Sequence, residues 1–293
     1  MNESEWLASR FAEHRRHLRA VAYRMLGSLS EADDAVQEAW FRLSGTNAAA
    51  IEHLDRWLTT VVARICLNML KARSRREEPI GVRVPDPVVS AEDELDPEQE
   101  ALLADSVGLA LLVVLEMLGP AERLAFVLHD MFAVPFDEIA PIVGRSPAAT
   151  RKLASRARRR VQGAAPVPDA DLATQRELVR AFIAAARRGD FEALVAVLDP
   201  DVVLRADAGA LPAAMSREIR GAEAVARAAL AFSALDVEVQ LALINGSVGT
   251  VSIRDGCPVA VAGFTVHRRR ITAIDILVDP ERLGRIDVTV LDR

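Results

Sequence analysis

Cysteine is nearly absent from this chain. Cys66 and Cys257 stand far apart, which argues against a disulfide framework. No stretch reads as a membrane span: the richest apolar run, GLALLVVLEMLG, is interrupted by Glu116 and is too short to cross a bilayer. The N-terminus, MNESEWLASRFAEHRR, is charged and has no apolar signal core, so a reducing cytoplasm is the expected compartment and no membrane partner is expected. Missing too are H-E-x-x-H, a Walker loop, G-x-S-x-G and any Cys/His cluster. His14 and His17 lie one helical turn apart without further ligands. No metal, cofactor or catalytic residue is therefore assigned. Aromatics make up 4% of the chain, and much of its apolar content is alanine, which suits compact helices.

What is present is charge, unevenly placed. The 293 residues allow two or three domains, and their net charge is -6. Against that acidic balance, SPAATRKLASRARRRV carries Arg151, Lys152, Arg156, Arg158, Arg159 and Arg160 and no acid. Upstream stand an amphipathic run, PFDEIAPIV, and a glycine turn, with Ser146 as N-cap and Pro147 at the first helical position. Two helices meeting at such a turn describe a helix-turn-helix. Its second helix places Arg151, Lys152, Ser155, Arg156 and Arg159 on one broad face for DNA and leaves Leu153, Ala157 and Val161 to pack. Residues 56–76 are also basic, whereas Asp86, Glu92, Asp93, Glu94, Asp96, Glu98, Glu100 and Asp105 make 86–105 acidic. The two blocks are either attracting surfaces or two solvated faces.

The spacing predicts a first helical domain over 1–76. One helix is closed by Gly27; the next is capped by Ser30 with Asp33 in S-x-x-D form, turning Ala35, Val36, Ala39, Trp40 and Leu43 inward; a third, long helix follows. Four prolines and the charge run make 77–105 a linker without a compact core, although helix resumes at about 98. Residues 106–162 form the helix-turn-helix domain, with His129 and Asp130 as a pair on a helix surface. Residues 163–171 form a second linker. Residues 172–293 read as α+β: helices broken at Gly189, then strand runs at 202, 237, 248, 258 and 271. Their separators, NGS, RDGC and HRRR, are hairpin signals and point to an antiparallel curved sheet.

Taken in order, EADDAVQEAWFRL, LDRWLTTVVARICLNMLKARSRR, a proline-rich linker and the segment from LGPAERL to RRRV resemble bacterial sigma factors of the extracytoplasmic-function type over roughly residues 5–162. The resemblance implies a sigma region 2 domain whose Asp33, Asp34, Gln37 and Glu38 meet the β′ clamp helices of RNA polymerase. It implies a -10 pocket around Gly45–His53, flanked by Arg64, Asn68, Lys71 and Arg75. Trp57 is read as core in preference to a base-stacking residue. A region 4 domain would then read the -35 element through Arg151, Lys152, Ser155, Arg156 and Arg159. The implied partners are core polymerase, including its β subunit, and promoter DNA.

The last third resembles the cone-shaped SnoaL-like or NTF2-like fold. A sigma factor with that extension is similar to the subgroup called ECF41 or SigJ-like. That subgroup's W-L-P-E-P stands here as Arg83-Val84-Pro85-Asp86-Pro87, its D-G-G-G-K as Asp207-Ala208-Gly209-Ala210-Leu211, and its N-P-D-K-L as Asp279-Pro280-Glu281-Arg282-Leu283. The resemblance implies regulation in cis, with Pro85, Asp86, Pro87, Asp207, Gly209, Asp279, Pro280 and Leu283 between the domains. The acidic linker is a candidate to shield the basic helices. The cone leaves room for a small ligand. Asp207, Asp275 and His267 are its acid/base candidates; His267 falls in a turn read as exposed, and Asp275 faces either in or out. An alternative reading is a helix-turn-helix regulator with a small-molecule-binding cone; a more distant one is a cyclase or isomerase fused to a DNA-binding module.

Overall fold

The computed structural model describes residues 3–46, 51–75, 82–90, 108–164, 171–209, 211 and 216–286. Two compact units emerge: Met1–Pro79, Glu100–Asp105 and Val114–Ala164 form one, and Ile80–Gln99, Ser106–Val113 and Ala165–Arg293 the other. The helical segment read as 1–76 and most of the one read as 106–162, from Val114 on, thus belong to one unit, while Ser106–Val113 belongs to the other. The second linker beyond Ala164 and the helix start near 98 lie outside the described residues.

In the first unit, α1 (Glu3–Leu26) ends at Gly27, whose φ of 67° is left-handed and whose N–H donates to Tyr23 O at 2.8 Å. The cap of α2 (Leu29–Ser44) is Ser28 and not Ser30: Ser28 Oγ accepts from Glu31 N at 3.4 Å. The turn at Gly27 puts Ser28 in the extended conformation that a cap needs, and Ser30 is already helical. Ala35, Val36, Ala39 and Leu43 face inward, and half-buried Trp40 packs on Phe11 with centroids 5.1 Å apart. Helix α3 (Leu54–Arg75) buries Leu58, Val62, Cys66 and Leu70. Helix α4 (Leu109–Glu116) divides between the units, its first residues to Val113 belonging to the second, and precedes α5 (Pro120–Phe126), which continues as a π turn over Val127–Met131. The helix-turn-helix is α6 (Phe136–Val143) and α7 (Pro147–Ala164). Arg123, 3% exposed, ties these elements to α1 by donating to Met25 O at 3.0 Å and to Glu116 at 2.9 Å. Removing one partner of such a buried pair costs ~3–5 kcal/mol.

In the second unit, α8 (Leu172–Arg188) stops at left-handed Gly189, and α9 (Phe191–Val197) leads into β2 (Leu198–Asp207). Then follow β3 (Arg217–Arg220), α10 (Ala222–Ser233), β4 (Glu238–Ile244), β5 (Ser247–Arg254), β6 (Cys257–His267), β7 (Arg270–Leu277) and a single turn, α11 (Pro280–Leu283). Hairpins at Asn245-Gly246, Asp255-Gly256 and Arg268-Arg269 all use positive φ, as two-residue turns between twisted strands require. The sheet order is β1-β4-β5-β6-β7-β2-β3, with β1 at Val89–Ser90. The sheet is mixed, not antiparallel throughout, because β2 runs parallel to β7. Hairpin signals fix β4 to β7 locally; no local signal fixes the direction of a strand that pairs across an intervening helix and three hairpins.

Helices cover one face of this sheet, where Phe182 and Phe264 meet edge-to-face at 5.6 Å within a cluster including Leu194, Leu204 and Val225. The other face is covered by the segment read as an uncored linker. Val84, Val88 and Val89 are buried, and β1 pairs with β4 through Val89↔Ile244 and Ser90↔Leu243. Prolines 85 and 87 hold an extended backbone, and the valines between the charges form an apolar strip that packs without helix. Each buried valine contributes roughly 1.5–3 kcal/mol.

Candidate nucleic-acid interface

Helix α7 starts as its sequence dictates. Ser146 Oγ accepts from Ala149 N at 3.3 Å, and Gly144 turns the chain at φ 68°. Thr150, Leu153, Ala154 and Ala157 are buried, so the opposite face is fixed outward. Arg151, Lys152, Ser155, Arg156 and Arg159 are all exposed on it. The Arg151 guanidinium lies 5.4 Å from the Phe136 ring centroid, a cation–π contact that orients it beside the turn. Three further arginines, Arg156, Arg158 and Arg160, are tethered within the unit. Arg156 Nε is 3.1 Å from Glu122, Arg160 is 3.2 Å from the same carboxylate, and Arg158 Nε donates to Asp130 at 2.8 Å. Arg151, Lys152 and Arg159 have no carboxylate partner among the described residues. His129 and Asp130 do not pair: the His129 ring stacks on Phe136 at 3.8 Å and bonds Val134 O, while Asp130 turns to Arg158. Adjacent residues of a helix point in different directions, so each of the two takes a partner of its own.

On α3, Arg64, Asn68, Lys71 and Arg75 recur at i, i+4, i+7 and i+11 and are all exposed, opposite the buried stripe. Arg73 leaves this stripe and instead binds Leu26 O and Glu31. Trp57 is half-buried; the core position at this turn belongs to Leu58. Of the loop read as a base pocket, residues 47–50 lie outside the described residues. On α2, Asp34, Gln37 and Glu38 are exposed, with Glu38 bound to Arg42 at 2.8 Å. Asp33 is bound instead to Arg19 at 2.8 Å. Sequence reasoning missed Phe41, 60% exposed and one turn beyond Gln37 and Glu38 on the same face. Its signal was present: Trp40 fills the inward place, so the next aromatic must point out.

The eight interdomain residues converge in the second unit. Asp207, 5% exposed, accepts Val84 N at 2.9 Å and Arg282 Nη1 at 2.8 Å on one oxygen, and Gly209 N at 2.9 Å on the other. Arg282 also binds Asp86 and Val84 O, each at 2.5 Å. Burial opposes its charge, but Asp86 and Asp207 outweigh that and hold its pKa above the ordinary value. Asp279 caps α11, with Pro280 at its first position, and Leu283 is buried beneath. Pro85 and Pro87 bracket Asp86 in the buried strip. Gly209, at φ 57°, passes so close that a Cβ there would lie 1.9 Å from Asp279 Oδ2. Two contributors went unseen in the sequence. Arg282 was read only as a motif departure, and Asn245 only as a turn, yet Asn245 Oδ1 accepts Val88 N at 3.1 Å. Asp86 binds Arg282 within its own unit; the rest of the acidic run, from Glu92 to Asp105, lies outside the described residues, as does Ala210.

Neither carboxylate named as an acid/base candidate reaches the concave side. Asp275 is 1% exposed, on the face opposite Ile274 and Ile276, and bound to Arg205 at 3.1 Å; burial raises its pKa although Arg205 opposes the rise. His267 ends β6 at the hairpin and is half-buried, not exposed.

Residues 10–76 match the Sigma-70 region 2 model and residues 108–161 the Sigma-70 region 4 model. The chain is 41% identical to the ECF RNA polymerase sigma factor SigJ of Mycobacterium tuberculosis, over 92% of this chain and 87% of that one. It is 33% identical to the probable ECF RNA polymerase sigma factor SigI of the same species, over 97% of each. The crystal structure of M. tuberculosis SigJ superposes with a TM-score of 0.75 at 36% identity, covering 96% of this chain and 99% of that one. Two helical sigma segments followed by a mixed sheet with helices on one face define a sigma factor carrying a C-terminal cone. The chain belongs to the ECF RNA polymerase sigma factors. No described helix is long and apolar enough to cross a membrane.

Proposed function

We propose that this sigma factor brings core RNA polymerase to promoters by a two-point reading of DNA. Arg151, Lys152, Ser155, Arg156 and Arg159 take the -35 element, and Arg64, Asn68, Lys71 and Arg75 take the -10 strand. The observation that carries this reading is the pair of basic helix faces, on α3 and α7, each kept outward by a buried, mostly apolar opposite face. Cationic side chains on such faces neutralise phosphates, while the N-terminal half of a recognition helix meets base edges. Asp33, Asp34, Gln37 and Glu38 on α2 are the contact with the β′ clamp helices, and exposed Phe41 extends that face with an apolar anchor. The cone regulates in cis by holding the linker through Asp207 and Arg282. It has no catalytic task in this scheme; the polymerase performs the chemistry.

In-vitro transcription with core polymerase tests the scheme. The full chain is expected to support promoter-dependent transcripts. Asp34→Lys is expected to lose polymerase binding while keeping DNA binding. Absence of polymerase binding by the unaltered chain, or an Asp34→Lys variant that transcribes normally, contradicts it.

A further inference from the structure

The concave face of the cone encloses about 540 Å³. Packed interiors contain few voids larger than a water molecule. The volume falls within the ~300–1,000 Å³ of small-molecule sites. Its floor is apolar and buried: Phe182, Leu204, Phe264 and Ile274. Three hydroxyl residues interrupt the wall. Ser233 Oγ is already bonded to Ala186 O and Leu230 O. Thr250 and Ser252, alternate residues of β5, have no side-chain hydrogen-bond partner among the described residues, and their hydroxyls are not sealed from the cavity. They are therefore free to bond a molecule that enters it.

Charge at the lining has one sign. Arg187, Arg217 and Arg254 are its ionisable residues, and none pairs with a carboxylate among the described residues; Arg254 Nε donates only to Asp236 O, at 3.2 Å. The register sets Arg217 opposite Ala206, two residues along β2 from Leu204, which pairs with Ile274 in the floor. Phe232 and Leu235, 38% and 48% exposed, leave apolar surface at the same lining. No Asp, Glu, His, Cys, Tyr or Lys lines the cavity among the described residues, so it offers no group of ordinary pKa for general acid–base work.

We propose that the cone is a binding site for a small apolar molecule bearing one anionic group. The apolar body fills the floor, an acceptor on it takes the Thr250 and Ser252 hydroxyls, and the anion meets the arginines, whose planar forks suit a carboxylate. The ligand is bound and released unchanged.

Calorimetry on the full chain tests this with two probe pairs: octanoate against octan-1-ol, and naphthalene-2-acetate against 2-(2-naphthyl)ethanol. At least one anion is expected to bind at least about tenfold more tightly than its alcohol, the scale of a charge-assisted hydrogen bond. Replacing both Arg217 and Arg254 by Ala is expected to erase that preference while leaving the alcohol's affinity in place. Ala229→Trp, from the α10 wall, is expected to abolish binding of both members; should it fail to fold, Ala228→Phe on the same helix replaces it. The proposal is overturned if neither anion binds, if anion and alcohol bind alike, or if the filled variant binds as the unaltered chain does.

Discussion

Arg282→Ala would leave Asp86 and Asp207 facing each other across the buried linker without a counter-charge. The three side chains are 17%, 16% and 7% exposed, so the loss is that of a largely buried pair. Such losses run to ~3–5 kcal/mol. Asp207 keeps the Val84 and Gly209 N–H donors. Asp86 keeps some access to water. Both retentions set the cost near the lower bound, about 3 kcal/mol. That is roughly a hundredfold in the equilibrium for lifting the linker from the sheet. Native-state hydrogen exchange measures it directly: the Val84 and Val88 amides, held by Asp207 and Asn245, should lose about two decades of protection. Amides of α7, such as Thr150, should keep theirs. Unchanged protection at Val84 and Val88, or an equal loss throughout α7, would refute the assignment of Arg282 as the hub of a local clamp.

Gly209→Ala forces a Cβ against Asp279 at positive φ and unseats the cap of α11; the combined cost is about 2 kcal/mol, read as a lowered denaturant midpoint. Burial raises the Asp275 pKa above its unfolded value, so the folded state holds that proton more tightly. Its stability contribution is full below the unfolded pKa and is lost as pH rises through the raised folded value. Melting curves across the acid range should therefore show Asp275→Asn gaining on the unaltered protein as pH rises, and a constant difference would contradict the sign. Burial pushes the Cys66 thiol far above its usual range while Cys257 is exposed, so a thiol reagent should titrate one cysteine in the native protein and two after denaturation. Arg156→Ala should weaken a specific promoter by about 1–3 kcal/mol if it reads a guanine, whereas equal weakening on all DNA would mark a phosphate contact.

Much of the helical unit was legible because its signals are local. Ser146, Gly144 and Pro147 specify the helix-turn-helix within a few residues, and the period of Leu58, Val62, Cys66 and Leu70 specifies which side of α3 is wet. Hairpins in the sheet were legible for the same reason. What stayed hidden depends on partners distant in the chain. Asp86 and Arg282 are far apart in sequence, and neither composition nor spacing indicates that they meet. The linker misled because proline and charge report a lack of helix, not a lack of burial. An extended strip can add to a sheet edge and lie across its face without any helical signal.

The alternation of β2 and β7 has a mechanical consequence. Leu204, Ala206, Ile274 and Ile276 line the cavity, while Asp207 and Leu277 lie on the side where the linker docks. The two strands are thus a partition one backbone thick, with a chamber on one side and a latch on the other. Val278 N donates to Asp207 O at 2.8 Å, so the two strands move together at the point where the latch is mounted. Any displacement of that partition that changes the chamber also displaces the Asp207 carboxylate, and no chain of relay residues is needed between them.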